Sequence, residues 1–102
     1  MIKVDIAYKG KGIESILIKG HANCGDYGKD LVCAGVSSVS VGALNALEEV
    51  DSYEIEVEEG RIKATFGKAL SDHDEIVLET MILQLKTIQV SYPEAIDIKE
   101  RK

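Results

Sequence analysis

Apolar and polar residues alternate from the start of the chain. Ile2, Val4, Ile6 and Tyr8 fall on one side of an extended segment, which predicts a half-buried first strand. Gly10-Lys11-Gly12 interrupts the pattern as a turn, and Ile13 to Lys19 predicts a second strand antiparallel to the first. Residues 20–29 form a loop that carries Gly20, Gly25 and Gly28. From about Leu31 to Glu49 the spacing becomes helical, with Val32, Val36, Val39, Ala43 and Leu47 on one stripe. A second stripe, Ala34, Ser38, Gly42 and Ala46, is made of small residues. Small side chains let another backbone approach closely. The stripe therefore predicts a central helix sandwiched in the core, with a contact between two copies of the chain as the sharper alternative.

Two further strands and a helix follow, without any sequence repeat. Ile55 and Val57 alternate within 53–58, Glu59-Gly60 is a turn, and Ile62, Ala64 and Phe66 complete a hairpin. Ser71 is a helix N-cap followed by Asp72, His73 and Asp74 in the first turn. Val77, Leu78, Met81, Leu85 and Ile88 line the buried face of this second helix, and Pro93 ends it. His73 reads as a neutral surface residue, because an imidazolium opposes the dipole at a helix start. Residues 95–99 predict a short edge strand. The fold class is α+β: a mixed sheet with two helices in the order ββαββα, plus the C-terminal edge strand, in one domain spanning 1–102.

The chemistry concentrates where the loop meets the first helix. His21 precedes the glycine-bearing loop, and Cys33 follows it twelve residues on. With Asp30 as N-cap, Cys33 falls in the first helical turn, where unpaired N–H groups and the positive end of the dipole favour a thiolate. His21 supplies a base. Asp30 opposes the thiolate if its charge lies close to sulfur, and helps it if the helix amides or His21 occupy that charge. A small buried hydrophobe is the ordinary alternative for a helical cysteine.

These residues carry a family resemblance. Gly20-His21-Ala22, a variable loop, Gly28, Asp30-Leu31-Val32-Cys33-Ala34, Val36-Ser37 and Asn45 resemble the ribosomal-processing cysteine proteases (Prp), over nearly the whole chain. The resemblance implies a bacterial endopeptidase that removes a short N-terminal extension from a ribosomal large-subunit protein precursor near the peptidyl-transferase centre, aiding ribosome assembly. It implies Cys33 as nucleophile and His21 as its base. Asp30 and Ser37 match positions associated with the active site, and Gly20 matches a hinge beside a mobile loop. It also implies a homodimer. Cys24 in the loop and Leu31, in place of a more usual isoleucine, depart from the pattern. Ser37 lies one turn after Cys33 and either supports the thiolate or imidazole or simply packs. Tyr27, the loop's aromatic residue, either touches substrate or packs the loop down.

Composition bounds the partners. Twelve basic and 18 acidic residues give a net charge of −6, which disfavours nucleic acid and suits a basic peptide substrate, or simply solubility. No run approaches a membrane span, and Met1-Ile2-Lys3-Val4-Asp5 has no signal-peptide pattern. A cytoplasmic protein with two reduced thiols is expected. No cofactor and no metal are expected. Zinc held by His21, Cys24, Cys33 and either His73 or Asp26 is a rival with poor ligand spacing. A non-catalytic module that binds a peptide or ribosomal protein is a second rival. A thiol redox protein with Cys24 as resolving thiol is a third.

Overall fold

The computed structural model describes residues 1–20, 27–67 and 70–102, with backbone alone over 27–30. Its elements are β1 (Ile2–Lys9), β2 (Gly12–Lys19), α1 (Tyr27–Asn45), a short 3₁₀ turn (Val50–Ser52), β3 (Glu54–Glu58), β4 (Arg61–Thr65), α2 (Asp72–Ser91) and β5 (Ile96–Arg101). The strands form one sheet in the order β3-β4-β2-β1-β5. Four of the elements pair as antiparallel neighbours, while β5 runs parallel to β1. The mixed sheet and the C-terminal edge strand are as the alternation predicted.

Register places like with like. One apolar row crosses the whole sheet: Val57 pairs with Ile62, Ile62 with Ile18, Ile18 with Val4, and Val4 with Ile98. Since side chains alternate across a strand, this row and its parallel neighbours Ile16 and Ile6 all face the helices. Ile6, Phe66, Leu78, Met81, Leu85 and Ile96 are among the fully buried side chains of the resulting core. A bulge between Ala7 and Tyr8 shifts the β1–β2 register, and the Glu14 carbonyl accepts the Phe66 N–H at 2.9 Å.

The first helix lies one turn earlier than its sequence predicts. It starts at Tyr27 rather than Leu31 and ends at Asn45 rather than Glu49. Glycine at position 28 is a weak helix former, and aspartate suits a first turn as well as a cap, so residue preference could not separate the two starts. The cap role expected of Asp30 falls away, because residue 30 is the fourth of the helix. Tyr27, expected in the loop, opens the helix instead.

The other end has a visible cause. Ala46 and Leu47 donate to the carbonyls of Ala43 and Leu44 at 3.0 and 3.3 Å, tightening the last turn. The next two amides, Glu48 and Glu49, leave the helix and donate to the Asp74 carboxylate at 2.8 and 3.2 Å.

The sandwiched-helix expectation also fails. Ala34, Ser38, Gly42 and Ala46 are exposed, and a Cβ built on Gly42 meets nothing within 4 Å. The helix instead buries Val32, Val36, Ser40 and Leu44 and packs against α2 on one side only. For α2 the Ser71 cap is as predicted, its hydroxyl accepting the Asp74 N–H at 3.1 Å.

Candidate active site

Cys33 is the seventh residue of α1. The unpaired amides of that helix belong to its first turn, residues 27–30, so they lie roughly 5–9 Å back along the axis from Cys33. The first-turn position expected for the thiol is therefore corrected by one turn. Cys33 is half-buried and packs against the hydrophobic core.

Beside it lies a cavity of about 210 Å³ between α1 and the β3–β4 hairpin. Cys33, Val36, Ser37 and Val41 form the helix wall. The floor is Ile2, Ile18 and Ile62, and the hairpin wall is Val57, Glu58, Glu59, Gly60 and Arg61. Ser37 thus shares the groove with Cys33, as one helical turn on the same face requires. The apolar floor follows from the sheet register, because Val57, Ile62 and Ile18 belong to the row that crosses the sheet.

Gly20 lines the same groove. Its φ is +99°, a region that favours glycine. A Cβ there would sit 2.6 Å from the Met1 carbonyl oxygen, and its N–H donates to the Gly60 carbonyl at 3.0 Å. Glycine at this position is therefore demanded by close backbone packing. Any side chain at 20 strains the fold. His21, Cys24 and Asp26 lie outside the described residues, as do the side chains of Tyr27 and Asp30.

A second polar cluster forms at the far end of α1. The fully buried Asp74 carboxylate accepts from the Glu48 and Glu49 amides, from Tyr53 Oη at 2.6 Å and from His73 Nδ1 at 2.9 Å. Burial works against its charge, but the hydrogen bonds from the Glu48 amide, Tyr53, His73 and the Glu49 amide outweigh it and hold the carboxyl well below the usual range. The same contacts act on the partners. Burial, then the Asp74 hydrogen bond, pushes the Tyr53 phenol up. The Asp74 hydrogen bond raises His73 above 6.5.

His73 is therefore bonded to a carboxylate rather than idle at the surface. It also fails the zinc set proposed from sequence, since it sits with Glu48 and Asp74 and not in the Cys33 groove. The donor atoms of Glu48, His73 and Asp74 lie within 4.8 Å of one another. Both Asp74 oxygens already accept two hydrogen bonds, so the cluster is built as a clamp.

Sequence and fold agree with known proteins. The family model for cysteine protease Prp matches residues 1–97. The ribosomal processing cysteine protease Prp of Staphylococcus aureus (strain Mu50) is 34% identical over 101 residues, covering 94% of this chain and 95% of that protein. The Prp of Bacillus subtilis is 36% identical over 92 residues, 82% of each. A crystal structure of S. aureus Prp with a covalently linked product peptide superposes with a TM-score of 0.85 at 32% identity, covering 99% of this chain and 100% of that one. Another, with a substrate peptide, gives 0.80 at 30% identity with the same coverage. The chain belongs to the Prp family of cysteine proteases.

Proposed function

We propose that this protease removes the N-terminal extension of a ribosomal large-subunit protein precursor in the cytoplasm, and so serves ribosome assembly, with Cys33 as nucleophile and His21 as base. The observation that carries the reading is the Cys33 thiol on a groove of about 210 Å³, in a fold matched end to end by the S. aureus enzyme seen with its peptides. In this mechanism Cys33 Sγ attacks the scissile carbonyl and His21 takes the thiol proton. His21 then returns that proton to the leaving amine, and water releases the acyl group. Gly20, covalently next to His21, lines the groove, which favours the pairing. Ser37 is placed to support it.

The protease acts as a homodimer in this reading. Ile76, Leu83 and Val90 repeat every seven residues on α2 and are 62%, 65% and 83% exposed. They continue from a groove between the helices lined by Ser38, Gly42 and Ile76. Such a stripe on a soluble helix calls for a partner helix. Light scattering at working concentration should give twice the 11.1 kDa chain mass, and Leu83→Glu should halve it. The cleavage itself is tested by incubating the purified protein with the precursor and weighing the products. One cut that releases the extension supports the reading, and an intact precursor overturns it.

A further inference from the structure

β3 is the outermost strand on its side of the sheet. In an antiparallel pair, alternate residues turn their N–H and C=O away from the neighbour, so one edge of β3 offers a row of backbone donors and acceptors to whatever comes alongside. Natural edges are commonly guarded by a bulge, a proline or a lysine. β3 has none of these: its sequence is Glu54-Ile55-Glu56-Val57-Glu58, and it pairs with β4 without a register shift.

Its guard is negative charge. Glu54, Glu56 and Glu58 are exposed and share one face, which repels a second acidic edge and admits a basic one. Arg61 takes up Glu56 at 3.8 Å. Among the described residues Glu58 and Glu59 have no ion-pair partner, and both line the groove that Cys33 opens onto. Val57, between Glu56 and Glu58 and on the opposite, helix-facing side of the strand, is 53% exposed where the apolar row of the sheet ends. Edge, charge and groove meet at one place.

We propose that the substrate flank beside the scissile bond adds to β3 as a sixth strand, and that Glu58 and Glu59 select a lysine or arginine on it. The proposal rests on the protease reading above and deepens it. Backbone pairing fixes the direction and depth of the peptide, and the scissile bond passes into the groove facing Cys33. The two carboxylates set which register is productive.

The probe is a synthetic peptide that spans the cleavage site of the ribosomal-protein precursor and carries lysine on one flank. It is N-methylated at one backbone position at a time. N-methylation removes a donor and blocks pairing, so kcat/KM should fall about tenfold or more at alternate positions on one flank and little at those between. A uniform loss, or none, overturns strand addition.

The charge reading is tested with E58Q/E59Q and with norleucine in place of the lysine. Each change alone should lower kcat/KM about two- to fivefold, and the two together should lower it no further. Multiplying losses would overturn the selection by Glu58 and Glu59. The unmodified peptide separates the two levels: if wild type cannot cut it, both readings fall. If wild type cuts it and the methylation scan is flat, strand addition alone falls.

Discussion

At the Cys33 end of α1, a half-buried thiol, an exposed serine and two glutamates without ion-pair partners among the described residues border an open groove. At the other end, a fully buried carboxylate accepts hydrogen bonds from two amides, a phenol and an imidazole. Both ends hold reactive residue types. Displaced titration would single out the Asp74 end as a catalytic centre, yet each oxygen of Asp74 is occupied and the side chain is fully buried. A carboxylate with all its partners satisfied holds structure together. A thiol on an open groove with an apolar floor has room for a substrate. The contrast teaches that a groove beside a thiol marks this site better than displaced titration does.

Breaking the clamp should have the largest effect on stability. Asp74→Ala strands two amides and a phenol in the interior and should cost about 3–5 kcal/mol. That is a large share of the roughly 5–15 kcal/mol that holds a domain of this size. Denaturant unfolding measures it. A loss under 1 kcal/mol would mean that the clamp is dispensable and that its burial has another purpose.

Gly20 ties the groove end to the N-terminus, so Gly20→Ala should come next. A positive φ and a 2.6 Å approach to the Met1 carbonyl imply a cost of about 1–3 kcal/mol, read as a lowered melting temperature. An unchanged melting temperature would show that this segment relaxes freely.

Much of this architecture is legible in the sequence, and the gaps have physical causes. Strands came from strict alternation at Ile2, Val4, Ile6 and at Ile55, Val57, because a half-covered sheet needs that pattern. The Ser71 cap came from local chemistry. Helix α1 was displaced by one turn because a 3.6-residue period fixes which residues share a face but not where the helix begins. The Asp74 clamp is not legible locally because three of its four partners come from 21 to 26 residues away, and Asp74 reads as an ordinary first-turn acid. The outward small-residue stripe misled for a related reason: tolerance of close approach does not say whether the approaching backbone belongs to the same chain. The motif that singles out Cys33 as the candidate thiol survives an error of one helical turn.

The clamp should also respond to pH. His73 is raised above 6.5 by its hydrogen bond to Asp74, so its contribution is complete below that value and is lost as pH rises through the folded-state pKa. Asp74 is depressed below 3.8, so its contribution is complete above that value and lost as pH falls through the folded-state pKa. The clamp is therefore tightest between these limits. Melting temperature measured across pH 5 to 8 should fall in wild type on the alkaline side, and less so in His73→Ala. Parallel curves would remove His73 from the clamp.

The smallest expected effect lies midway along α1. Ser40 is fully buried, and among the described residues its hydroxyl has no hydrogen-bond partner. Ser40→Ala removes an unsatisfied polar atom and adds a better helix former, so it should stabilise by about 1 kcal/mol. Destabilisation would mean that the hydroxyl is satisfied in solution.

The central claim is that the nucleophile is the thiol on the groove. Cys33→Ser and Cys24→Ser should be compared for turnover of the ribosomal-protein precursor, with melting temperatures measured on both. The account predicts no cleavage by Cys33→Ser with its melting temperature nearly unchanged, and most of the activity retained by Cys24→Ser. Turnover by Cys33→Ser, or a dead Cys24→Ser beside an active Cys33→Ser, would contradict it.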